Sequence, residues 1–157
     1  MVVLGLVAAL VVLAADQATK WAVLALLDLS AGPIPVTPYF NLVLVWNPGV
    51  SFGMLGGLGV YAPWALTGIA LAVVAFLVAW LRRAQDGLTA AALGLVIGGA
   101  LGNVVDRARY GAVVDFLDFH YAGYHWPAFN VADAAICVGA GLLLVGSLFA
   151  PRREATS

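Results

Sequence analysis

Hydrophobic positions fall in four long blocks along the chain. The first covers residues 1–15 without a charge and resumes at Trp21–Leu27 after a polar interruption. The second, Tyr61–Leu81, has no charged residue, and the third, Leu88–Val105, is uncharged but holds Asn103. The fourth, Ala134–Ala150, follows Asp133 directly. A membrane-crossing helix needs roughly 20 mostly apolar residues, because the hydrocarbon core is about 30 Å thick and each residue rises about 1.5 Å. The pattern therefore predicts one domain over 1–157, with four spans at about 1–27, 61–81, 88–106 and 132–150. The first block has no basic residue ahead of its apolar run, unlike a secretory signal peptide, and its pattern continues past Lys20. It is expected to be a permanent helix.

Between the first two blocks the pattern changes. Pro33, Pro35, Pro38 and Pro48 exclude a helix, and Tyr39–Trp46 is rich in aromatic and β-branched residues. Such a run bounded by Pro and Gly predicts short strands. A small sheet at the membrane interface is expected, with Tyr39, Trp46 and Tyr61 at headgroup level. In the third block Gly94, Gly98 and Gly102 recur every four residues with Gly99 beside them, a small-residue stripe that lets helix backbones approach closely.

Composition narrows the class. The chain is 64% hydrophobic and 10% charged, with a mean hydropathy of +1.03. Soluble domains are about 45–50% apolar and about 25% charged. A soluble globular protein is excluded, and so is a disordered one. The net charge of −1 gives no basic field for nucleic acid. The single cysteine, Cys137, excludes a disulfide framework and a cysteine-rich metal site, and is expected as a small packing residue. Arg82 and Arg83 close the second span, and Arg152 and Arg153 the fourth. The positive-inside rule then predicts both termini on the cytoplasmic side, with 28–59 and 109–129 outside. Lys20, Arg107 and Arg109 lie at the outer end and dilute this bias unless they are engaged in polar work there.

The few polar groups are the informative ones. Seven of the eight acids are Asp, and six of them (Asp16, Asp28, Asp106, Asp115, Asp118 and Asp133) fall at or near the outer end of the bundle. Asp86 and Glu154 sit next to arginines on the other side and read as solvated surface. A charge near the membrane costs several kcal/mol unless paired or hydrated, so the six are functional candidates. Asp16, Thr19 and Lys20 share a helix face at i, i+3 and i+4, which fits either an internal ion pair or direct chemistry. Asn47 opens Asn47–Pro48–Gly49–Val50–Ser51–Phe52–Gly53, a turn ahead of the second span. Asn103, Asp106 and Arg107 again lie at i, i+3 and i+4; Arg107 suits an interfacial anchor, whereas an Asn inside a span must find a partner. Asn130 and Asp133 are spaced as an N-cap and its N3 partner. Asp115, in the apolar run Val113–Phe116, offers a sharper alternative for Asp133. Two carboxylates in a partly dry site do not both ionise easily, so one keeps its proton. The ionised one can take a proton from water while the other donates to a carbonyl.

Taken together these clusters resemble the bacterial lipoprotein signal peptidase family, also called signal peptidase II. The resemblance rests on Asp16–Gln17–Ala18–Thr19–Lys20, Asn47 to Gly53, Gly98 to Arg107, Val113–Val114–Asp115–Phe116 and Phe129–Asn130–Val131–Ala132–Asp133, in the family's order over almost the whole chain. It implies an all-α membrane protein of four transmembrane helices with a small extracytoplasmic β-cradle around Pro38–Trp46. It implies an aspartic endopeptidase of the bacterial inner membrane, with its active site towards the outer face. Such an enzyme removes the signal peptide of a diacylglyceryl-modified prolipoprotein by cutting just before the lipidated cysteine. The family's catalytic dyad falls on Asp115 and Asp133, and its supporting polar residues on Asp16, Lys20, Asn47, Asn103, Arg107 and Asn130. The partners expected are the prolipoprotein and membrane lipids, with no nucleic acid, and the chain is expected to act as a monomer. Water is the nucleophile, so no metal or cofactor is expected. Asn47, Asn103, Asn130 and Arg107 are donors suited to substrate carbonyls or a developing oxyanion.

Other classes fit less well. A transporter or proton channel also uses intramembrane Asp, Asn, Lys and Arg, but these polar groups gather at one end and no inverted repeat is evident. A zinc protease lacks a His-Glu-x-x-His pattern, since His120 and His125 are the only histidines and are expected in a loop. Ser51 and Ser147 have no neighbouring base in sequence.

Overall fold

The computed structural model describes residues 1–49 and 61–149. Four helices and four strands alternate along it: α1 (Val2–Leu26), β1 (Ile34–Thr37), β2 (Phe40–Asn47), α2 (Ala62–Leu81), α3 (Gly87–Tyr110), β3 (Val113–Tyr121), β4 (Tyr124–His125) and α4 (Val131–Phe149). Each helix is long and apolar enough to cross a membrane. The helices run alternately up and down. The strands therefore lie at one end of the bundle, where α1 and α3 finish and α2 and α4 begin. Segment 50–53 of the expected turn lies outside the described residues, as do Arg152, Arg153 and Glu154.

Central α3 packs against α1, α2 and α4. Lipid tails are as apolar as leucine, so helix association here depends on close packing and interhelical hydrogen bonds. The glycine stripe supplies the closeness. A Cβ on Gly94 would strike the Gly5 carbonyl oxygen of α1, and one on Gly98 the Ala9 carbonyl oxygen. Gly99 faces α4 in the same way, against the Ala132 carbonyl oxygen. Away from these seams, Ala9, Leu77, Leu81, Ala90, Leu93 and Ile97 form the apolar core. The outer faces stay apolar and uncovered: Leu10, Phe76 and Leu144 are among many large exposed hydrophobics. That pattern is the reverse of a soluble protein's and suits a lipid solvent.

Local chemistry sets the ends of α3. Asp86 caps its start, its carboxylate accepting from Thr89 N at 2.8 Å. This acid is exposed, as expected, but has a structural task as well. Gly111 ends the helix in the left-handed region at φ +73°, its N–H donating to the Arg107 carbonyl. The chain then turns directly into β3.

The sheet has the order β1-β2-β3-β4 and is antiparallel throughout. It is larger than the proline-bounded segment alone suggested, because β3 and β4 come from the connection between α3 and α4. His120 and His125 are therefore strand residues paired across the β3–β4 hairpin, not members of a loop. The tip is Ala122–Gly123, with φ of +50° and +82°. Two positive-φ residues make the two-residue turn whose twist matches paired strands. Tyr39, Trp46 and Tyr61 are all exposed at this end of the molecule.

Candidate active site

The site is built at the junction of β3, the end of α3 and the start of α4, on a base of buried charges. Lys20 projects from α1 into the bundle, where its Nζ lies 2.9 Å from Asp16 Oδ2 and 2.7 Å from Asp106 Oδ2. All three are buried, at 3%, 0% and 1% exposure. Thus Asp106 pairs with Lys20 across helices and not with its neighbour Arg107. Thr19 leaves the cluster and turns its hydroxyl to the carbonyls of Ala15 and Asp16. Gln17 Nε2 reaches Asp16 Oδ2, the Gly102 carbonyl and Asp106 Oδ1 at 3.0–3.2 Å. Gly102 is small for a reason: a Cβ there would stand 2.5 Å from Asp16 Oδ2.

Two oxygens of this cluster also accept from backbone. Asp106 Oδ2 accepts from Val114 N at 3.1 Å, and Asp16 Oδ1 from Ala132 N at 2.9 Å. Val114 precedes Asp115, and Ala132 precedes Asp133. One buried ion cluster therefore anchors both segments that carry the candidate dyad.

Asn103 connects this base to the dyad. Its Oδ1 accepts from Lys20 Nζ at 3.1 Å, and its Nδ2 donates to Asp133 Oδ1 at 2.8 Å. An ammonium has donors only, so Lys20 fixes which end of the amide faces it and turns the other, the NH2, onto Asp133. Asn130 joins the two carboxylates. Its Nδ2 donates to Asp115 Oδ1 at 2.7 Å and to Asn103 Oδ1 at 3.3 Å. Its Oδ1 accepts from Asp133 N at 2.9 Å, while its own N donates to Asp133 Oδ2 at 3.3 Å. That reciprocal pair is the capping box expected from the spacing. Capping and dyad assembly are thus one arrangement and not alternatives.

Asn47, at the end of β2, completes the shell. Its Nδ2 donates to Asp115 Oδ2 at 2.9 Å, and its Oδ1 accepts from Gly49 N at 2.8 Å. Gly49 holds φ +84°, which a side chain rarely adopts. Asp115 is 1% exposed. Burial raises its pKa most and the charge of Asp133 adds to this, while hydrogen bonds from Asn47 and Asn130 and the charge of Lys20 oppose them. The net effect pushes Asp115 up to about 6. A carboxyl in that range exchanges its proton near neutral pH.

Seven of the eight residues singled out from sequence therefore lie in one hydrogen-bonded network. Arg107 is the looser member. Among the described residues its sole side-chain hydrogen bond is from Nη1 to the Asn103 carbonyl at 3.5 Å, and its buried Nε has no partner there. Gln17 was not picked out from the sequence, and Asp106, one of the six candidate acids, was given no place in the site; both bond to the Asp16–Lys20 pair. Cys137 corrects an expectation: it is exposed, one turn beyond Asp133, in a lateral groove of about 320 Å³ lined also by Trp126, Pro127 and Phe129. Among the described residues no group of three or more His, Cys, Asp or Glu is arranged to hold a metal ion.

Fold and site define an integral membrane protein that gathers its polar groups, a pair of linked carboxylates among them, at one end of a four-helix bundle. Comparison with known proteins makes this specific. Residues 8–149 match the family model described as Signal peptidase (SPase) II. A lipoprotein signal peptidase of Polynucleobacter necessarius is 48% identical over 141 residues, 89% of this chain and 86% of that protein. One from Ralstonia nicotianae is 50% identical over 140 residues, 88% of this chain and 80% of that protein. A bacterial membrane enzyme solved by the in meso method at 2.3 Å superimposes with a TM-score of 0.74 at 27% identity, over 98% of this chain and 92% of that one. The chain belongs to the signal peptidase II family and is a peptidase.

Proposed function

We propose that this protein removes the signal peptides of lipoprotein precursors as an aspartic endopeptidase, cutting before a diacylglyceryl-modified cysteine. Family membership supports the substrate class. One observation carries the catalytic type: Asn130 hydrogen-bonds to both Asp115 and Asp133. In this reading water sits between the two carboxylates. The ionised one takes a proton from that water as its oxygen attacks the scissile carbonyl carbon, while the protonated one donates to the carbonyl oxygen. Collapse of the tetrahedral intermediate breaks the C–N bond, and a proton passes to the leaving amine. Amides of Asn47, Asn103 and Asn130 hold the carboxylates in place, and Arg107 faces the site as a cation near the developing oxyanion.

Membrane geometry fits the same reading. The signal peptide is itself an apolar helix and the lipid tails lie in the bilayer, so both enter sideways, and the scissile bond meets water at the end of the bundle. Arg82 and Arg83 at the opposite end support a cytoplasmic side there, with the site towards the outer face of the inner membrane. The test is incubation of the purified protein with a diacylated prolipoprotein and with its unlipidated form. Cleavage of the first alone is expected, and none by Asp115→Asn or Asp133→Asn. Substantial turnover by either variant would remove the dyad assignment.

A further inference from the structure

Asp118 is a buried carboxylate outside the dyad network, and its three hydrogen bonds join three strands. Asn41 of β2 donates to its Oδ2 at 2.9 Å from the directly opposed position. Nδ1 of His125 in β4 lies 2.9 Å from both of its oxygens. A carboxylate only accepts, so His125 presents its N–H there. Burial raises the pKa of Asp118, but hydrogen bonds from Asn41 and His125 and the charges of His125 and His120 outweigh it and hold the group below its ordinary value. His120 stacks on the His125 ring at 5.0 Å between centroids.

The two strands tied by Asp118 are the ones that deliver amides to Asp115. β2 ends in Asn47, the donor to Asp115 Oδ2. β4 leads through Trp126, whose N donates to the Phe119 carbonyl at 2.8 Å, to Phe129, which pairs with Leu117 at 2.9 and 3.1 Å. The next residue is Asn130, the donor to Asp115 Oδ1. β2 also carries an irregularity between Leu42 and Val45, so its backbone register alone does not dictate where Asn47 falls.

We propose that Asp118, held by Asn41 and His125, is a positioning group for the peptidase reaction, setting the register of β2 and of the β3–β4 hairpin so that Asn47 and Asn130 both meet Asp115. The proposal rests on the assignment of Asp115 to the dyad. Asp118 touches neither substrate nor reacting atoms in this role. Its loss loosens both amides on Asp115, whose other charged neighbours are Asp133 of α4, Lys20 of α1 and Arg107 of α3. The weakened hydrogen bonds favour the protonated carboxyl, so the limb of the pH–rate profile set by Asp115 moves to higher pH.

The experiment uses the full chain in lipid–detergent micelles with a diacylated prolipoprotein. Asp118→Ala tests the carboxylate itself. His125→Ala is the safer variant for folding, because His125 is 56% exposed. For each, kcat is expected to fall roughly 10- to 100-fold with KM nearly unchanged, and the limb set by Asp115 to move to higher pH. His125→Asn, which keeps an N–H at the same distance along the side chain, is expected to recover part of the rate. An unchanged rate in folded His125→Ala overturns the proposal. So does a rate that falls only in proportion to the folded fraction, with the pH profile in place. Cleavage by the parent protein and its loss in Asp115→Asn are the controls, so failure of the dyad reading is seen separately.

Discussion

Two groups of aspartates lie within one hydrogen-bond relay of each other and are held in opposite ways. Asp16 and Asp106 share the ammonium of Lys20, and every oxygen they direct elsewhere meets an amide or a backbone N–H. Asp115 and Asp133 receive no cation at hydrogen-bond distance among the described residues; amide and backbone N–H donors alone hold them. A buried ion pair of that kind breaks expensively. Asp115, held by neutral donors in a dry setting, is left with a pKa raised to about 6 and can exchange its proton. The first group is a foundation, and the second is equipped for chemistry.

Removing the dyad is the harshest test of this contrast. Asp115→Asn and Asp133→Asn should each lower cleavage by roughly 10²- to 10⁴-fold or more, measured on the diacylated prolipoprotein, while circular dichroism and membrane insertion stay normal. Lys20→Met comes next and should act on the fold. It leaves two buried carboxylates unneutralised, so a loss of about 3–5 kcal/mol is expected in denaturant or thermal unfolding. Asp16→Ala should likewise lower stability in step with activity; normal stability with dead catalysis would exchange the two roles.

pH sharpens the contrast further. Folding raises the Asp115 pKa to about 6 from an ordinary value near 3.8. The folded state therefore binds a proton that the unfolded state releases earlier, and stability attached to this group falls as pH rises from about 4 to 6. In thermal melts the Asp115→Asn variant lacks this loss, so its melting temperature relative to the parent should improve across that window. The smallest effect belongs to the hairpin tip. Ala122 holds a left-handed conformation that suits Asn better, so Ala122→Asn should stabilise by roughly 0.5–1 kcal/mol with activity unchanged.

Much of this was legible in the chain because the membrane simplifies the reading. Four apolar blocks had to be helices, and each polar interruption had to be explained. The i, i+4 spacing of Asp16 and Lys20 revealed their pairing, and the Asn130–Asp133 spacing revealed a capping box. What stayed hidden was pairing at long range. Lys20 meets Asp106 across 86 positions, and the adjacent Arg107 was the nearer candidate by sequence. The meeting of Asn41, Asp118 and His125 stayed hidden because it depends on strand register, which neither β-propensity nor spacing reports. Cys137 faces outward because α4 turns a small-residue seam towards α3, at Gly139 against Ala92, and so presents its other side.

The orientation of the Asn103 amide has one more consequence. Lys20 claims its oxygen and Asp133 takes its nitrogen, so the side chain works only because its two ends differ in kind. Asn103→Asp changes a single NH2 to oxygen and preserves the shape almost perfectly. Yet it sets a third negative group against Asp133, so at this position a faithful copy of the outline is a poorer tenant than an alanine.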